Sequence, residues 1–138
     1  MIKILLIIAL FFIGCEDKTY TRIFQKNEIG SHISSLSIAT TEKEIRTPTI
    51  KAIKESGFKL KSSSPYSIDI EYRKYSHHCN NPQTAAYDAT YDGFVKLHLY
   101  HGLKEVYSVQ KDFHGEFDED VISSLLEKMR DDLRLKDD

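Results

Sequence analysis

His77-His78-Cys79 is the densest run of chemically able side chains in this 138-residue chain. Imidazole and thiolate are good ligands for zinc or copper, but a metal site needs several ligands converging on one point. His98, His101 and His114 supply more only if the fold brings them beside the run. A Cys next to a His is also the pair from which a thiolate nucleophile and its base are built. No surrounding motif and no oxyanion-hole donor set accompanies Cys79. The expectation is a polar loop with a free thiol, or a thiol that pairs with another protein, and an enzyme is not expected: no catalytic residue, no metal and no cofactor.

Charge offers a second candidate. Residues 42–61 carry Lys43, Arg46, Lys51, Lys54, Lys59 and Lys61 against Glu42, Glu44 and Glu55. The C-terminal element is acidic at its start and its end. This asymmetry presents a basic patch to anionic groups such as lipid phosphates, for which Arg46, Lys51 and Lys54 are the candidate residues. The plainer alternative is a solvated helix face. Tyr66, Tyr72, Tyr75, Tyr87, Tyr91, Tyr100 and Tyr107 form a third set. Tyr is apolar with a polar tip and suits interfaces, but on strands it is equally ordinary sheet packing.

The fourth candidate is Cys15. Lys3 is followed by an uninterrupted apolar run from Ile4 to Ile13, then Gly14, Cys15 and the charges Glu16, Asp17 and Lys18. A basic start, a short apolar core and a small residue at a cleavage point are the parts of a secretory signal peptide. The run is too short for a membrane span, which needs about 20 residues. Phe12-Ile13-Gly14-Cys15 resembles a bacterial lipobox, with Phe12 where Leu is usual. The expectation is therefore a signal peptide over residues 1–14, cleavage before Cys15, and lipidation (diacylglycerol and palmitate) of Cys15. An ordinary signal peptide or a short N-terminal anchor is the alternative. Two or more acyl chains hold a protein stably at a membrane.

Length and composition narrow the rest. Removing residues 1–14 from 138 leaves 124, enough for one modest domain. Charged residues at 29% and apolar residues at 41% indicate a globular domain rather than a disordered tail. The net charge of −2 excludes a strongly basic nucleic-acid binder. With Cys15 acylated, Cys79 stands alone and no intramolecular disulfide forms.

The elements that must position these residues follow from periodicity. Residues 15–31 read as a lipidated N-terminus and tether, and residues 32–138 as a single domain. Leu36, Ile38 and Thr40 alternate, which predicts a first strand over residues 33–40. Thr47-Pro48 predicts a helix start, with Thr47 as cap and Pro48 in the first position, and Gly57 predicts its stop. That helix covers residues 48–56. Tyr66, Ile68, Ile70 and Tyr72 alternate strictly with polar residues, and the alternation slips at Lys74-Tyr75. Residues 76–92 hold no usable pattern. Val95, Leu97 and Leu99, then Tyr107, Val109, Lys111 and Phe113, predict a hairpin turning over residues 101–104. Ile122, Leu125, Leu126, Met129 and Leu133 make one stripe of a helix over residues 119–134, with Asp118 as its cap and Phe117 as a staple to Ile122. The expected fold is α+β: a mostly antiparallel four-stranded sheet in the order β-α-β-β-β-α, with both helices on one face.

This order of elements behind a lipidated Cys resembles the LPS-assembly lipoprotein family, LptE. The local likeness lies in Leu36-Ser-Ile-Ala-Thr40, in Arg46 to Phe58, in the hairpin 94–114 and in Leu126 to Asp132. The resemblance implies a non-enzymatic, periplasm-facing outer-membrane lipoprotein. It would sit in the lumen of a large β-barrel protein, help it deliver lipopolysaccharide, and meet lipid phosphates with basic residues such as Arg46, Lys51 and Lys54. A competing resemblance is to lipoproteins related to the N-terminal domain of TolB or to CsgG, which implies a secretion-pore component or a regulator of cell-wall synthesis. Glu16-Asp17 leaves the choice of inner or outer membrane open, because acidic residues after the Cys redirect sorting in some bacteria.

Overall fold

A computed structural model describes residues 19–75 and 91–136. Among the described residues the fold is α+β, with two helices on one face of a six-stranded mixed sheet. In chain order the strands are β1 (Thr19–Ile23), β2 (Ser35–Ile38), β3 (Lys59–Leu60), β4 (Tyr66–Lys74), β5 (Gly93–His101) and β6 (Lys104–Phe113). Helix α1 (Lys43–Glu55) lies between β2 and β3, and helix α2 (Asp120–Asp132) follows β6. The spatial order is β1-β6-β5-β4-β2-β3.

The central strands follow from strict alternation. Ile68, Ile70, Val95, Leu97, Leu99, Tyr107 and Val109 all point to one face and are buried. The apolar stripe of α2 and Ile45, Ala52 and Ile53 of α1 close over them in a single core. The hairpin β5–β6 turns through Gly102-Leu103, with Gly102 at φ 62°. A positive φ at the first central residue is what a two-residue turn with Gly in that place supplies. A bulge beside Leu99 inserts Val106 opposite β5, so Val106 and Tyr107 are both buried. Tyr107 then donates its hydroxyl to Asp132 at 2.6 Å, tying the end of α2 to the sheet. Burial and the Asp132 carboxylate both push the Tyr107 phenol far above its ordinary value.

Four expectations about the sheet and α1 are corrected. The sheet has six strands rather than four, and it is mixed: β2 runs parallel to both β3 and β4. The stretch expected to be a tether contains β1, which pairs antiparallel with β6 from Thr19↔Lys111 to Ile23↔Tyr107. Strand β2 is shorter than residues 33–40, because Thr40 has left the ladder. Its hydroxyl instead donates to Asp69 at 3.0 Å and accepts the Ile70 N–H at 2.7 Å. Helix α1 starts a turn earlier than Pro48, which lies inside it. Ile45 explains the extension: it is only 4% exposed, so packing holds the first turn despite the hydrogen bond that Pro48 cannot donate.

At α2 the expected stripe is in place, from Ile122 to Leu133. The N-cap is Glu119 rather than the expected Asp118 and makes no side-chain cap bond, although the Asp118 side chain accepts the Asp120 N–H at 3.0 Å. Phe117 is half-buried and its ring lies 5.0 Å from that of Tyr72.

Candidate functional site

Three surfaces gather the described residues that could do chemistry. The first is the exposed side of α1. Its buried residues are Ile45, Pro48, Thr49, Ala52 and Ile53, which leaves Lys43, Arg46, Lys51 and Lys54 in solvent. At helical spacing Lys43, Arg46 and Lys54 share one side. Lys51, three residues before Lys54, lies beside it on the flank nearer Pro48. It also lines the groove between the helices, with Glu55, Glu119, Asp120 and Ser123. Of the expected cluster all three are exposed, with Lys51 and Lys54 neighbours three residues apart and Arg46 toward the other side of the exposed face. Arg46 also has a structural role, since Nη1 donates to Thr40 O at 3.2 Å and fixes the end of β2 to α1.

The second surface is the sheet face that carries no helix. Strands β4, β5 and β6 place Glu71, His98 and Glu105 across it. His98 Nδ1 lies 2.6 Å from Glu105 and Nε2 lies 3.4 Å from Glu71, so both ring nitrogens face carboxylates. The His98 side chain is 15% exposed. Tyr100 lies beside it, its ring centroid 6.2 Å from that of His98. Burial raises the Tyr100 phenol, and Glu105, Asp69 and Glu71 raise it further. An imidazole held at both nitrogens is a cross-strand strut rather than an open base.

The third surface is the end of the sheet, where a single 3-10 turn, Lys26–Glu28, crosses from β1 toward β2. Glu28 accepts hydrogen bonds from His101 Nδ1 at 2.6 Å, the Tyr66 hydroxyl at 2.9 Å and the Ser31 hydroxyl at 3.0 Å. The Tyr66 and His101 rings stack at 4.2 Å. Burial raises the Glu28 carboxyl, but the hydrogen bonds from His101, Tyr66 and Ser31, with the charge of His101, outweigh it and hold the group below its ordinary value of 4.5. A carboxylate whose folded value is depressed contributes stability above its unfolded value and loses it as pH falls through the folded one. Stability should therefore drop as pH falls below about 4.5. Glu28→Gln should cost about 1–3 kcal/mol at pH 7 and flatten that part of the acid dependence. Urea titrations of both proteins at pH 7 and at pH 3 read the difference.

The histidines expected to converge do not. His98 is on the open sheet face, His101 is at the sheet end, and His114 stacks on Tyr91 at 4.5 Å. Among the described residues no group of three or more His, Cys, Asp or Glu is arranged to hold a metal ion. Cys15, His77, His78 and Cys79 lie outside the described residues. A cleft of about 110 Å³ is lined by His32, Ser34, Gly57, Phe58, Arg130 and Lys136, among others. Its central cation is already engaged: Arg130 donates to Ser56 O at 2.6 Å and covers the Phe58 ring at 4.5 Å.

The Glu28 cluster was not anticipated from the sequence. Ser31 is three residues from Glu28, but Tyr66 and His101 are 38 and 73 residues away. Among the described residues no helix is long and apolar enough to cross a membrane. Compared with known proteins, the chain matches no protein-family model and no curated protein.

Proposed function

We propose that this chain is a lipid-anchored envelope protein that binds and scaffolds, assisting an outer-membrane β-barrel protein in lipopolysaccharide assembly. Cys15 carries the lipid, and the domain faces the periplasm. The reading rests on the lipobox-like stretch at residues 12–15 and on the likeness to the LptE family. The observation that carries it further is the exposed basic side of α1, where Arg46 and Lys54 stand in solvent away from the core. Each cation near an anionic lipid surface is worth about 1 kcal/mol. Lys51, which lines a groove with Glu55, Glu119 and Asp120, contributes less.

The double variant Arg46→Glu/Lys54→Glu should weaken binding of the full chain to lipopolysaccharide-containing vesicles about tenfold or more at low salt. Lys51→Glu should have a smaller effect. Equal binding of all three proteins would remove lipid phosphates from the proposal. The partner is tested separately, by crosslinking a C-terminally tagged chain in intact cells and identifying what copurifies. A large outer-membrane β-barrel supports the reading.

A second reading is the secretion-pore component or regulator of cell-wall synthesis. Three of the five strand pairings are antiparallel and the parallel ones are two residue pairs each, which favours the first reading over it. Recovery of self-assembled rings or of cell-wall synthases would select it.

A further inference from the structure

The two edges of the sheet are built differently. At one edge β3 is two residues long, and Lys59 and Lys61 project from it, features that discourage another strand from pairing. At the other edge β1 is five residues of Thr, Tyr, Thr, Arg and Ile, with no Pro, Gly or Lys and no bulge in its pairing with β6. This composition is well suited to strand pairing. Just past β1, Phe24 N–H donates to Val106 O at 2.8 Å. Antiparallel ladders alternate, so Tyr20 and Arg22 direct their backbone groups toward β6, while Thr21 and Ile23 direct theirs outward.

The side chains of this edge are complementary to themselves. Of the four large hydrophobic side chains that are exposed among the described residues, Tyr20 and Phe24 flank Arg22 on this strand and its continuation. Arg22 already lies over the Phe24 ring at 4.9 Å. An antiparallel pairing of two copies about Thr21 sets Tyr20 of each copy opposite Arg22 of the other. A cation then meets an aromatic ring at both ends of the pair, on the face without helices. The two Thr21 residues exchange backbone hydrogen bonds at the centre.

We propose that β1 is a docking edge for a second copy of this chain, joining two six-stranded sheets through antiparallel β1–β1 pairing. The inference rests on the fold and is independent of the proposed role in lipopolysaccharide assembly.

The test uses the full chain in detergent with Cys79→Ser as background. Thr21→Cys is treated with a short thiol–thiol crosslinker, and Thr47→Cys, exposed on α1, is the control. The expected result is a dimer at twice the mass of the purified monomer from Thr21→Cys, in at least tenfold excess over the control. Sedimentation of Thr21→Pro should show a monomer with an unchanged far-UV spectrum, because the N–H that proline removes faces outward. Equal crosslinking at the two positions, or a monomeric parent protein at 100 µM (a concentration of about the order at which modest strand pairing registers), would overturn the proposal. Crosslinking of Thr21→Cys in cells only to a different chain would overturn it as well.

Discussion

Gly93→Ala should destabilise the protein by about 2–4 kcal/mol, although it adds one methyl group. Gly93 opens β5 between Lys74 of β4 and Phe113 of β6, and it is buried. A Cβ built there meets the Arg73 carbonyl oxygen of the neighbouring strand and lies 2.7 Å from Phe113 Cζ. Backbone on one side cannot yield without breaking the ladder. On the other side Phe113 is 8% exposed and stacks with Tyr72 at 5.8 Å, so its ring has little room to retreat. Gly102→Ala is the informative comparison. Its φ of 62° strains an alanine, but nothing lies within 4 Å of the added carbon. That change should cost only about 1–2 kcal/mol. Urea midpoints of the two variants, at constant slope, separate a clash from a backbone preference.

The second large effect is expected at Leu126. It is fully buried at the centre of the α2 stripe. Leu126→Ala removes apolar contact and leaves a cavity under a helix that is held at its end by Tyr107 and Asp132 and beside α1 by Arg130 and Ser56. These anchors hinder collapse of the helix into the space, which places the cost at about 2–5 kcal/mol. A domain of this size is stable by about 5–15 kcal/mol in total, so the melting temperature should fall by roughly 10 °C. A loss below about 1 kcal/mol would show that α2 repacks freely.

What the sequence made legible depends on how each element buries its residues. Strands β4, β5 and β6 each have one wet and one dry face, and their alternation is plain from Tyr66 to Phe113. Helix α2 has a stripe without interruption. Strand β1 was hidden because it is an edge: Thr19, Tyr20, Thr21 and Arg22 are all exposed, and only Ile23 is partly buried. Its partner residues lie 84 to 92 positions away, from Tyr107 to Lys111. The first turn of α1 was hidden by Thr47-Pro48, a pair that imitates a helix start but here follows one. Parallel pairing of β2 left no trace either, since Ser35 to Ile38 is too short to show whether its neighbour runs with it or against it. At the candidate site, exposure of Arg46 and Lys54 followed from helical spacing. The groove that Lys51 shares with Glu119 and Asp120 did not, because those residues reach α1 only through tertiary packing.

The pairing of β1 with β6 bears on when the domain can form at all. The first strand waits for the sixth, and α2, which completes the core, comes later still. Such a chain has high contact order and cannot reach its native topology while only its N-terminal half has been delivered. On the proposed export route, delivery from the N-terminus would defer assembly of the domain until β6 and α2 had followed β1 across.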